Sequence, residues 1–162
     1  MKNSKFFSRI FFILILFFSC NNNRLFDQNI DFSETGWATS VNPKFEVSIT
    51  DNNIPYTLLC NIRHSSDYPY SRIFVRYTIA DSTGNVIEKK LTSGFLFDPK
   101  NGTPLGTTGI GDVYDIRILL EEKLRFPFTG KFNITLEQQM REDPLVGIFS
   151  AGIRIEKPDV KP

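Results

Sequence analysis

From Phe45 onward the chain alternates apolar and polar residues with a period of two, broken at short intervals by turn-forming clusters. FEVSI puts Phe45, Val47 and Ile49 on one side and ends in the turn signal Asp51-Asn52-Asn53. YTLLCNIR follows, with Tyr56, Leu58, Cys60 and Ile62 in phase. RIFVRYTIA places Ile73, Val75, Tyr77 and Ile79 on one face, with Arg72, Arg76 and Thr78 among those opposite. DSTGN predicts a hairpin, because Asp, Gly and Asn tolerate the positive φ of tight turns, and the return strand runs roughly from Val86 to Leu96. Residues 98–112 hold four Gly and two Pro, which predicts the longest loop and no regular element. VYDIRILLEEKLRF suits a helix through Val113, Ile116, Leu120 and Leu124, and a strand through Tyr114, Ile116, Ile118 and Leu120. Its β-branched start favours a strand, with a helical turn expected at residues 121–123. KFNITLE (Phe132, Ile134, Leu136) and IFSAGIRIE (Phe149, Ala151, Ile153, Ile155) complete the set. Seven or eight strands, each with one covered face, predict an all-β chain. The expected architecture is a single antiparallel β-sandwich of jelly-roll or related Greek-key order.

The N-terminus breaks this pattern. Lys2, Lys5 and Arg9 precede nine apolar residues, 10–18, closed by Ser19 and Cys20. Basic, apolar, then small is the order of a secretory leader, and the run is shorter than the roughly 20 residues that span a bilayer. A Cys after a small residue at that point is the signature of a bacterial lipoprotein. The thiol is diacylglycerylated, the leader is cut before the Cys, and the new amine is acylated. Phe17 and Phe18 are bulkier than the usual residues there, and an ordinary leader with a chance Cys is the competing reading. The expected divisions are a leader at 1–19, the lipidated Cys20 with a tether at 20–34, the sandwich at 35–157 and a tail at 158–162. Phe26 and Phe32 of the tether are expected to dock on the domain. Several acyl chains, at about 0.8 kcal/mol per buried methylene, anchor a protein stably in a bilayer.

Charge changes once the leader goes. Losing Lys2, Lys5 and Arg9 leaves sixteen cations against eighteen carboxylates, a net of −2 in place of +1. That excludes the basic field a nucleic-acid partner needs. With Cys20 acylated, Cys60 has no partner for a disulfide, and its place in a strand predicts a small buried hydrophobe. One His and one mature Cys cannot build a usual zinc site, and no cofactor is expected.

Candidate chemistry is sparse. His64, the only imidazole, is expected at a strand end as a surface or loop residue, and Ser65 and Ser66 beside it lack an orienting acid. Asp98, Asp112 and Asp115 flank the long loop and are weak calcium candidates, since calcium wants six to eight oxygens. Tyr68 and Tyr70 in a loop could stack on sugar rings, giving a glycan-binding surface lipoprotein as an alternative function; burial of Trp37 and the tyrosines as anchors of loops to the core is the favoured reading. Met140 and Arg141 could form an exposed partner site, because both residue types are favoured at interfaces. Arg141 could instead brace two loops by pairing with Asp112 or Asp115.

Several strings, in order, resemble the gliding-motility lipoprotein H family (GldH). They are Ser19-Cys20, Phe26-Asp27-Gln28, Trp37, Asn61-Ile62-Arg63 with Tyr68-Pro69-Tyr70, and Leu105-Gly106 through Gly111-Asp112-Val113-Tyr114-Asp115. Phe126-Pro127, Gly130-Lys131-Phe132, Glu137-Gln138-Gln139-Met140-Arg141, Asp143-Pro144-Leu145 and Gly152-Ile153-Arg154-Ile155-Glu156-Lys157 follow. The resemblance implies an outer-membrane lipoprotein needed for gliding, working with other gliding and secretion-machinery proteins of the envelope and carrying no enzymatic activity. Asn21 after Cys20 lacks the Asp associated with inner-membrane retention, and residues 22–24 lack an acidic export run. A periplasm-facing position in the outer membrane is the resulting expectation.

Overall fold

The computed structural model describes residues 23–109 and 111–158, so the leader, Cys20 and the last four residues lie outside the described chain. Nine strands follow in order: β1 (Arg24–Asp31), β2 (Lys44–Ile49), β3 (Tyr56–Ser65), β4 (Arg72–Asp81), β5 (Val86–Phe95), β6 (Thr107–Thr108), β7 (Val113–Leu124), β8 (Gly130–Gln138) and β9 (Ile148–Glu156). They form two sheets, ordered β1-β9-β3-β7-β6 and β2-β8-β4-β5, with antiparallel pairing throughout. Apart from the β4–β5 hairpin and the short β6, successive strands switch sheets, which is the jelly-roll order.

The period-two sets meet between the sheets. Leu58, Cys60, Ile62, Ile118, Leu120, Ala151, Ile153 and Ile155 come from the first sheet and are buried. Phe45, Val47, Ile49, Ile73, Val75, Tyr77, Ile79, Phe132, Ile134 and Leu136 face them from the second. Each large side chain removed from water in this way contributes about 1.5–3 kcal/mol.

Several expectations need correction. Residues 24–31 are not tether; they form β1, an edge strand paired with β9 from Arg24↔Glu156 to Asp31↔Ser150. Alternation is blurred there because an edge strand is held largely by its ladder. Phe26 and Phe32 do pack on the core. The helical turn at 121–123 is absent, since β7 continues to Leu124. Leu120 and Leu124 are both buried, as an even spacing along a strand allows, and two register shifts opposite Tyr56, Leu58 and Leu59 interrupt the alternation between them. Another shift, between Arg63 and His64, sends Ile148 into the core and leaves Phe149 half-exposed. Loop 98–112 is also more ordered than expected. Asp98 accepts the Lys100 amide at 2.7 Å, and Thr107–Thr108 pairs with β7.

Candidate functional site

Tyr70, Phe74, Gln139, Met140 and Arg141 line a groove of about 360 Å³ where β4 begins and β8 ends. Phe74 occupies a polar-phase position of β4, between Arg72 and Arg76, and is therefore turned outward and 38% exposed. The ladder carries on past β8, with the Gln139 amide donating to the Phe74 carbonyl at 2.9 Å. That step brings Met140 over Phe74, whose amide meets the Met140 sulfur at 3.4 Å. Buried Gln138 fixes the turn from beneath: its Oε1 accepts the Met140 amide at 2.8 Å and its Nε2 donates to the Glu142 carbonyl at 3.1 Å. Tyr70 closes the far side, and the neighbouring Glu142 carboxylate raises its phenol pKa above the ordinary value. The arrangement offers an apolar floor with one exposed guanidinium, Arg141, at its rim.

The remainder of this loop is locked to the core. Trp37 is fully buried, stacked on Phe32 with ring centroids 5.1 Å apart, and its indole donates to the Val41 carbonyl at 2.8 Å. Its backbone exchanges two hydrogen bonds with Leu145, at 3.2 and 2.9 Å. Gly36, at φ +99°, makes the approach possible, because a Cβ there would drive into the Leu145 carbonyl. Asp143 accepts both the amide and the hydroxyl of Thr39, at 2.8 and 2.5 Å, which lowers its carboxyl pKa.

Other expected site residues fall elsewhere. Tyr68 is 4% exposed and stacks on Phe97; burial pushes its phenol pKa up, so it cannot share a sugar-stacking platform with Tyr70. Among the described residues Arg141 pairs with neither Asp112 nor Asp115 to brace a loop, and Asp115 is held by Arg63 in a two-pronged pair at 2.9 and 3.0 Å. Asp98 serves its own turn, and among the described residues no group of three His, Cys, Asp or Glu is placed to hold a metal ion. The calcium candidates are therefore not gathered.

His64 is also unlike its expectation. It continues the inward phase of β3 and is fully buried, stacked near Tyr114 and tilted against Phe97, with Nδ1 3.0 Å from the Ser65 carbonyl. Burial lowers its pKa. Cys60 is fully buried, and its thiol pKa is pushed up to about 12, too high for thiolate chemistry.

Sequence reasoning missed a second constellation, the outer face of the first sheet. Arg154 is only 5% exposed, with Nη1 2.8 Å from Asp27 and Nε 2.5 Å from Glu156. Asn61 donates to Asp27 at 2.8 Å and to Asn29 at 2.9 Å, and Gly152 leaves room for Gln28 and Asn29 to close over it. The period-two pattern did put Asn61, Arg154 and Glu156 in an outward phase, whereas Asp27 and Asn29 fell in the stretch expected to be tether. It could not show that they bind one another.

Comparison with known proteins fixes the family. The model of the GldH lipoprotein family matches residues 24–155, from the first strand to nearly the end of the last. The chain belongs to that family. It is 34% identical over 155 residues to a protein of Christiangramia forsetii named gliding motility lipoprotein GldH homolog, covering 91% of this chain and 93% of that one. With the gliding motility lipoprotein GldH of Flavobacterium johnsoniae the identity is 28% over 152 residues, covering 90% and 92%. Among solved structures, dimeric latent PorU of Porphyromonas gingivalis aligns with a TM-score of 0.33 at 10% identity, over 83% of this chain and 13% of that one. The match is too distant to carry an argument about this GldH-family chain.

Proposed function

We propose that this chain is a non-catalytic assembly protein of the cell envelope. It is anchored through acylated Cys20 in the outer membrane, faces the periplasm, and serves gliding motility by holding another envelope protein in the Tyr70–Phe74–Met140–Arg141 groove. The observation that carries this reading is the groove itself. Residues from separate loops and strands converge on an open apolar floor with a cationic rim, and Gln138 and the Trp37–Leu145 exchange hold the backbone beneath it. A contact surface ordered in advance loses less entropy when a partner docks. Both curated relatives carry gliding motility lipoprotein in their names, which supplies the process. Their lipoprotein naming and the Ser19-Cys20 ending of the leader support the anchor.

Arg141→Glu tests the groove. The expected result is an unchanged melting temperature with loss of spreading on agar and of co-purified envelope protein. Normal motility and an unchanged set of co-purified proteins would overturn the groove as the contact. Protease treatment of intact cells tests the facing, with protection expected and ready digestion contradicting it.

A further inference from the structure

We infer that the end of the sandwich opposite the groove rests on the bilayer that carries the anchor, with Phe128 and Val86 in the lipid interface and Arg24, Lys123, Arg125 and Lys157 at the phosphates. This rests on the proposed acylation of Cys20. The strand registers put the start of β1, β3, β5 and β8 and the end of β2, β4, β7 and β9 at one end, through Arg24↔Glu156, Thr57↔Glu156, Tyr56↔Leu124, Ile49↔Gly130 and Ala80↔Val86. The chain enters the fold there, and the Lys157 amide pins the Asn23 carbonyl at 2.7 Å. Only Asn21 and Asn22 lie between that pinned residue and Cys20. Three residue steps span at most about 11 Å even when fully extended. An acylated Cys20 therefore holds this end within about one headgroup layer of the membrane, whichever way the domain leans.

The chemistry of that end suits the contact. Phe128 is 45% exposed at the tip between β7 and β8, supported by Phe132 with ring centroids 5.1 Å apart, and Val86 is 59% exposed at the start of β5. Arg24, Lys123 and Arg125 are exposed, and Lys157 is half-buried. Their long stems let cations reach phosphates while apolar tips sit deeper. The carboxylates at this end are Glu122, Asp51, Asp81 and Glu156; Glu156 is taken by Arg154, Asp51 and Asp81 accept hydrogen bonds within their own turns, and the four cations outnumber the three carboxylates without a cationic partner. The two tip loops are tied together, Arg125 donating to the Asn53 carbonyl at 2.9 Å and Asn52 to the Pro127 carbonyl at 3.3 Å. Lying on the β1 edge would instead press exposed Asp31 and Glu34 toward the phosphates. Standing on its tip, the domain holds the groove about 30 Å above the bilayer, the length of a ten-residue strand.

The test uses the full-length protein with its anchor, reconstituted in vesicles of phosphatidylethanolamine and phosphatidylglycerol. An environment-sensitive fluorophore is placed at Phe128→Cys, at Val86→Cys, or at Val146→Cys in the loop at the opposite end; Cys60 is buried and stays unlabelled. Spin-labelled lipids should abolish most of the fluorescence at positions 128 and 86 and leave position 146 unchanged. Equal, weak quenching at all three positions, with the acyl mass present on Cys20, would overturn the membrane contact and leave the anchor standing. Absence of the acyl mass on Cys20 would overturn both.

Discussion

The two outer faces of the sandwich differ in the share of their surface that is already satisfied within the chain. On the first sheet, Asp27, Arg154, Glu156, Asn61, Arg63 and Asp115 engage one another, so their charges are spent within the chain, with Asn61 Oδ1 left unpartnered and Leu119 the exposed apolar residue of β7. On the second sheet, Arg76 pairs with Glu137 and Lys131 with Glu46, but Phe74, Leu91 and Phe95 stand 36–57% exposed, with Arg72 laid over the Phe95 ring at 4.1 Å. Next to Phe74 lies the groove with Met140 and Arg141. A face whose polar groups already have partners gains little by exchanging them for a second protein, because desolvation offsets the new contacts. A face of exposed apolar side chains beside a free guanidinium gains by being covered. A contact is therefore expected on the second sheet's face, beside Phe74.

The largest effect expected from substitution concerns the support of the groove. Trp37→Ala removes a fully buried indole and its Leu145 and Val41 contacts. Chemical denaturation should show a loss of about 3–5 kcal/mol. A loss below ~1 kcal/mol would mean that the 139–147 loop does not depend on this anchor. Next comes the polar face. Arg154→Leu leaves Asp27 and Glu156 without their shared cation and should cost about 1–3 kcal/mol, less than a fully buried pair because both carboxylates reach solvent. The same variant should leave motility intact wherever enough folded protein remains.

His64 gives a smaller, pH-dependent effect. Its folded-state pKa lies below the unfolded value because burial disfavours the imidazolium. The unfolded chain therefore takes up a proton first as the medium is acidified. Stability is fully present above about pH 6.5 and is lost as pH falls toward the folded-state pKa. His64→Gln should flatten the melting temperature between pH 7 and 5, and the chain has no other His to reproduce the slope. Persistence of the full slope in that variant would assign it to another group. Smallest of all in stability is Arg141→Ala, expected within about 0.5 kcal/mol of the parent, yet with gliding lost. A lowered melting temperature there would revive a bracing role.

Much of the fold was legible because its core strands obey strict alternation. Tyr56 to Ile62 and Ile73 to Ile79 fall inward as their phase demands. The failures share a cause. Alternation describes a regular ladder with one covered face, whereas β1 is an edge strand and β7 and β9 carry register shifts. His64 followed the inward phase of β3, which runs two residues beyond the strand read from YTLLCNIR, so its expected place at a strand end was misjudged. In the groove, Met140, Arg141 and Tyr70 were visible as loop residues suited to an interface. Phe74 carried a signal that could have been used, an aromatic among outward-phase arginines, but nothing local says that Met140 returns to it. Arg154 and Asp27 are separated by 127 positions, and only the β1–β9 pairing brings them together.

Site-specific photo-cross-linking in living cells measures the contrast between the two faces directly. A photoreactive residue at position 140, in the groove, should trap a discrete envelope protein. The same residue at Leu119, 51% exposed on the outer face of the first sheet, should trap none. An adduct from position 119 with none from position 140 would contradict the account.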